Sequence, residues 1–357
     1  MKRAITLLAI TCLVLNSQTS LAKIWRVNNN PGVAADFNSV QAAHDGAANG
    51  DTIHVEGSPF GYGNLNVGKK LTILGAGYFL DENTGFQALQ QSSKIGHTNC
   101  YNGAQGTVFM GLEFPATGIN IYTDNIIIRR NKFSSFAGTT EDYYTGYVAA
   151  YYHNENSNIP VNNVIISQNY GVRVSVNNPS TGILITNNVI GDNGYTGDAS
   201  TGFCLFAHAN AIILVQNNIF RRGKVGASNS NFTNNIMMFG QFEGPGNLYS
   251  NNIGNDAQFG TANGNKSGVA MSTVFVGVGT GVTTEGQWKL KAGSPALNAG
   301  YGSTAQNPID CGIYSGQNPY IIAGMPPMPA VYSFEVQPIG SNTDPIDVKV
   351  KVRSAGN

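Results

Sequence analysis

The chain has 357 residues, with 20 basic and 20 acidic side chains, and charged residues make up only 11% of it. That balance gives no basic footprint for nucleic acid. So few charges beside 44 glycines exclude an amphipathic helical protein and suit tightly turned β-structure.

Residues 1–22 open with Met1, Lys2 and Arg3, continue through an apolar stretch from Ala4 to Leu15, and close on Ser20, Leu21 and Ala22. This is the pattern of a cleaved signal peptide, so the mature chain is expected to be secreted, either extracellular or at the cell surface. Its loss leaves the remainder about two charges negative. Cys12 follows Thr11, a poor context for lipid attachment, and no later segment is apolar enough to span a bilayer. Cys100, Cys204 and Cys311 remain, an odd number at irregular spacing that allows one disulfide at most. No cysteine metal site, Walker motif or dinucleotide motif is present, and no metal is expected. Residues 37–55 then read as a short capped helix running through Gly50 and Asp51 into a strand.

Six copies of one phrase follow, at 128–133, 166–171, 185–190, 215–220, 232–237 and 249–254. Each reads apolar, polar, polar, Asn, any, then usually apolar. The fixed residue falls at Asn131, Asn169, Asn188, Asn218, Asn235 and Asn252, with gaps of 38, 19, 30, 17 and 17. A period of about 17–19 residues is too short for a helix pair or a propeller blade and fits one coil of short strands, which predicts a parallel β-helix. Counting back from the Asn, Ile128, Ile166, Ile185, Val215, Phe232 and Tyr249 should face the core, as should Ile126, Val164, Ile183 and Ile213. The Asn row itself should stack as a hydrogen-bonded ladder. Ile127, Ile165, Leu184 and Leu214 form an outward apolar stripe that must be covered by the tail or a loop, or else bind a protein partner.

The two long gaps hold insertions, 134–160 and 191–210, which leave the coil at one phase and so should wall a groove. The first wall carries Glu141, Asp142, Tyr143, Tyr144, Tyr147, Tyr151, Tyr152 and His153, a tyrosine density suited to stacking on sugars; the second carries Asp192, Tyr195, Asp198 and His208. Arg173 lies on the floor. Even phase counting puts Arg173, Asp192 and Arg222 in one column, readable as an exposed ion-pair ladder or as a site for a uronate carboxylate. For a lyase, Arg173, Asp192 and His208 are the catalytic candidates, with Arg173 neutralising the carboxylate and the base drawn from His208, His153, Arg222 or a wall tyrosine. Tyr143, Tyr144, Tyr151, Tyr152, His153, Asp198 and Arg222 would bind substrate.

At the far end, residues 288–300, with Gly293 to Gly300 reading Gly-Ser-Pro-Ala-Leu-Asn-Ala-Gly, and then 310–314, form a closing segment. With the 37–55 entry helix and the Asn repeat, it resembles secreted bacterial members of the pectin-lyase-like superfamily. That resemblance implies an all-β fold: a right-handed parallel β-helix (solenoid) over 23–320, with a short N-terminal capping helix. After 320 the composition changes, and runs at 331–336 and 346–352 predict a C-terminal β-hairpin tail over 321–357 packed on the solenoid. The superfamily includes lyases, hydrolases, esterases and non-enzymes. The paired aspartates and Gly-His-Gly of its polygalacturonase-like members are missing, and Asn-Thr-Asp occurs only at 342–344, in the tail. The acidic cluster that holds calcium in many pectate lyases is also missing. The leading expectation is therefore a secreted β-helix that binds glycan, such as an acidic polysaccharide, without catalysis and without a cofactor. A polysaccharide lyase or hydrolase, the lyase with calcium, and a protein-interaction element are the alternatives.

Overall fold

Alternating inward side chains every coil force the strands to stack, and the computed structural model shows how. It describes residues 22–134, 146–150, 159–191, 202–341, 343 and 345–353. The strands form long parallel sheets, one of ten strands and one of fifteen, with one α-helix, an arrangement compatible with an all-β parallel solenoid. The inner row of the ten-stranded sheet runs in register through Ile53, Ile73, Phe109, Ile128, Ile166, Ile185, Val215, Phe232 and Tyr249. All but Tyr249 are buried. Each buried side chain of this size contributes about 1.5–3 kcal/mol.

The helix Val40–Gly46 closes the N-terminal end. Ser39 Oγ caps it by accepting from Ala42 N at 3.2 Å, and Val40 and Ala43 are buried toward the first coils.

The six predicted asparagines are fully buried. Each donates both its backbone N–H and its Nδ2–H to the side-chain oxygen of the next rung at 2.8–3.2 Å, the last of them to a seventh rung, Asn265. The residue before each of the six sits in the left-handed region, φ 55–59°, which asparagine tolerates best among non-glycine residues. Four of those six positions are asparagine: Asn187, Asn217, Asn234 and Asn251.

This preceding row has its own task. Asn251 Nδ2 donates to Ala299 O, Asn234 Oδ1 accepts from Tyr301 N, Asn217 Nδ2 reaches Gly312 O, and Asn187 Nδ2 donates to Ile313 O and Ser315 O. Gln168 donates to Asn318 O and Pro319 O, and Arg130 to Met325 O. Residues 299–325 therefore run back along the solenoid as a strap, tied coil by coil. Beneath the C-terminal segment lies a second core, in which Tyr170, Val189, Ile219, Ile236 and Ile253, the residues just after the asparagines, are buried with Val274, Phe275, Trp288, Ile313 and Tyr320.

Replacing Asn187 separates the two tasks. Asn187→Gly keeps the backbone conformation and loses the strap bonds together with the one that Oδ1 accepts from Thr186 Oγ1 at 2.6 Å, an expected cost of about 2 kcal/mol. Asn187→Ala adds left-handed strain of about 1 kcal/mol. Urea unfolding of both variants should give that order.

The apolar stripe exists as a register row, Val108, Ile127, Ile165, Leu184 and Leu214, and is half-buried. The strap covers the other face. Farther on, Ala330–Val336 and Val348–Arg353 pair antiparallel and touch the 86–88 loop through Ala88 N to Val331 O at 2.8 Å and Arg353 Nη2 to Phe86 O at 2.6 Å. Cys100, Cys204 and Cys311 are buried and do not bridge to one another; burial pushes the Cys311 thiol up to about 12. Among the described residues no helix is long and apolar enough to cross a membrane.

Candidate functional site

The groove expected between the two insertions would open on the outer face of the fifteen-stranded sheet, on the strands that follow the insertions. Inward apolar residues alternate there with outward polar ones, as in Leu65, Asn66 and Val67 or Val174, Ser175 and Val176. Register joins the outward positions into one row: Asn66, Asn99, Asn120, Ala149, Ser175, Phe206, Gly226 and Glu243. The first three form a second amide ladder, with Asn99 Nδ2 donating to Asn66 Oδ1 and Asn120 Nδ2 to Asn99 Oδ1, both at 3.0 Å. Asn120 Nδ2 also meets His97 Nε2 at 2.8 Å. Its Oδ1 has no donor among the described residues although the residue is only 5% exposed. A buried acceptor in that state costs about 1–3 kcal/mol unless something donates to it.

Beside this row lies another. Tyr147 and Arg173 are direct register partners, the His97 and Tyr147 rings are 6.4 Å apart, and Arg173 Nε donates to Phe203 O at 2.7 Å. Lys224 pairs with Phe203, sits 5.1 Å over its ring and bridges to Glu243 at 2.6 Å. Tyr101 and Tyr122 stack at the downstream edge, with centroids 5.3 Å apart. The face thus offers hydroxyl-matching amides, flat aromatic surfaces and a small excess of positive charge, open along the solenoid.

Arg173 lies in the strand Tyr170–Val176 of this sheet. The register changes beside it. Tyr170 pairs with Val189 but Val172 pairs with Ile190, so the register drops one residue at Gly171. Gly171 has φ +74°, and a Cβ there would lie 2.2 Å from Phe133 O, so only glycine fits the bulge. His208 follows the strand Phe203–Ala207, where its Nδ1 accepts from Asn210 N at 3.1 Å. Arg173 is level with Cys204, so His208 lies four residues, about 13 Å, farther along the strand. Arg222 sits in the connection into the strand Lys224–Gly226, against Gly191. Glu141, Asp142, Tyr143, Tyr144, Tyr151, Tyr152, His153, Asp192, Tyr195 and Asp198 lie outside the described residues.

No known protein family, curated protein or solved structure matches this chain.

Two cavities lie away from the open face. A polar cleft of about 570 Å³ surrounds Glu113, whose carboxylate bridges to Lys132 Nζ at 2.8 Å and accepts from Ser92 Oγ. Lys94, Glu113 and Lys132 occupy the row that becomes Tyr170 and Val189 under the C-terminal segment, so one outer row changes from charged to apolar where the cover begins. An apolar cavity of about 310 Å³ lies under residues 288–315. Among the described residues no three His, Cys, Asp or Glu side chains converge on a possible metal.

Proposed function

We propose that this chain is a secreted right-handed β-helix of the pectin-lyase-like kind that binds a polysaccharide along the outer face of the fifteen-stranded sheet, outside the cell or at its surface, without cleaving it. The observation that carries this reading is the register row from Asn66 to Glu243, with the buried Asn120 acceptor left open on it. An open strip of repeating amides and aromatic faces fits a linear polymer, whereas a small molecule is better held in an enclosed cavity.

A second reading, a lyase, is favoured by one pairing. Tyr147 and Arg173 lie opposite one another on adjacent strands, about 4.8 Å apart along the backbone. A uronate held by the Arg173 guanidinium would present its acidic C–H to the neighbouring phenol as base. His208 is too distant for that role.

The test uses the chain from Lys23 onward with pectins, alginates and neutral glycans, following retention, unsaturated-uronide absorbance and new reducing ends. Retention without cleavage is expected. Tyr147→Ala should weaken it five- to tenfold through lost stacking. Arg173→Ala should weaken binding of polyuronates more than of neutral glycans. Absorbance that disappears in both variants would replace binding by elimination, and absence of retention on every glycan would refute both readings.

A further inference from the structure

The 310 Å³ cavity beneath residues 288–315 has a composition unlike that of the polysaccharide face. Trp288, Cys311, Gly312 and Ile313 are buried along it, and Leu290 and Leu297 add apolar wall. The polar groups around it are already engaged. Cys311 Sγ donates to Asn251 O at 3.0 Å, Tyr314 OH to Glu285 O at 2.9 Å, Asp310 Oδ1 accepts from Asn298 N at 2.8 Å, and Ser315 Oγ accepts from Asp310 N at 3.0 Å. The exception is Trp288. Its ring is 4% exposed, lies edge-on to Phe275 and under the Arg221 guanidinium at 5.1 Å, yet its indole N–H has no acceptor among the described residues.

A buried indole N–H normally has a partner. Here it belongs to a residue lining a cavity whose size falls at the lower end of small-molecule sites. Lys289 and Asp310 also line the cavity, one charge of each sign, so it selects no net charge. The geometry points to a binding site for a small, neutral, mostly apolar molecule carrying one hydrogen-bond acceptor, a carbonyl or ether oxygen, which takes the Trp288 indole proton. This site is independent of the polysaccharide face and lies on a different side of the coil.

The chain has two tryptophans, and Trp25, in the first strand, is the internal control. In ¹⁵N-labelled mature protein, with peaks assigned through Trp25→Phe, cyclohexanone should shift the Trp288 indole signal saturably and leave Trp25 in place. Cyclohexene, the same ring without the oxygen, should bind five- to tenfold more weakly, the difference one hydrogen bond makes. Leu297→Phe, which narrows the cavity from an exposed position without touching the indole, should remove the shift. Trp288→Phe should bind the two rings equally by saturation-transfer NMR. A Trp288 signal that does not move, a shift that survives Leu297→Phe, or cyclohexene binding as tightly as cyclohexanone would each overturn the assignment.

Discussion

Asn218→Ala is expected to lower stability by about 4 kcal/mol. Asn218 Oδ1 accepts from Asn188 N at 2.9 Å and Asn188 Nδ2 at 3.0 Å; its Nδ2 donates to Ile185 O, Gln216 O and Asn235 Oδ1 at 2.9–3.0 Å. The side chain is fully buried, so water cannot replace any of these partners. Truncation leaves Asn188 N without its acceptor and removes a partner from Ile185 O, from Gln216 O, which still accepts from Asn187 N, and from Asn188 Nδ2, which still donates to Ile166 O; an unmet buried group costs about 1–3 kcal/mol before the coil relaxes. The rung is also central. Nearest-neighbour coupling holds a solenoid together, so breaking it there should split one cooperative transition into two. Urea unfolding followed by far-UV circular dichroism reads both effects; a single transition with an unchanged midpoint would show that the ladder is not what joins the coils.

The second large effect depends on pH. Glu285 is fully buried, and burial pushes its carboxyl up to about 7 despite the hydrogen bonds it accepts from Tyr320 OH at 2.7 Å, Ala323 N at 3.0 Å and Asn83 Nδ2 at 3.0 Å. Tyr78 OH meets Tyr320 OH at 2.8 Å, and the nearby Glu82 carboxylate, which holds Thr284, adds to the upward push. In the unfolded chain the group ionises at its ordinary value near 4.5. Between about 4.5 and about 7 the unfolded chain has therefore released a proton that the folded chain retains, so stability falls as pH rises through that window and is level above it. The drop is about 3 kcal/mol. Glu285→Gln keeps the shape and cannot titrate, so the difference between wild type and variant, followed by urea midpoints from pH 4 to 8, should carry that slope. Parallel curves would mean that Glu285 keeps its ordinary carboxyl value in the fold.

The coil was legible because its two signals are local and repeated. An asparagine with an apolar residue three places before it marks both the turn and the inner row, and every such residue from Ile128 to Tyr249 faces inward. Asn265 was not legible. It follows Asn252 by 13 residues, outside the repeat, and is recognisable only by its bonds to the rung before it. The strap was hidden for a different reason: the position after each asparagine reads as arbitrary until Tyr170, Val189, Ile219, Ile236 and Ile253 are seen lying against the C-terminal segment, a contact between residues far apart in sequence. At the candidate site, even counting from the asparagine could not see the register shift at Gly171, a bulge that no periodicity announces. The strip from Asn66 to Asn120 went unseen because those coils lack the turn asparagine and so supplied no phase from which to count.

The returning strap limits how this protein can change its length. Solenoids ordinarily grow or shrink by whole repeats, since each unit touches only its neighbours. Here the coils ending at Arg130, Gln168, Asn187, Asn217, Asn234 and Asn251 are each tied to successive stations between Ala299 and Met325. Removing one coil would shorten one side of a closed circuit by about 4.8 Å while the other side kept its length. Every tether beyond the deletion would then be out of step. Divergence in this chain is thereby directed to the loops at the sheet edges, while the coil number is held constant by a ruler built into the same polypeptide.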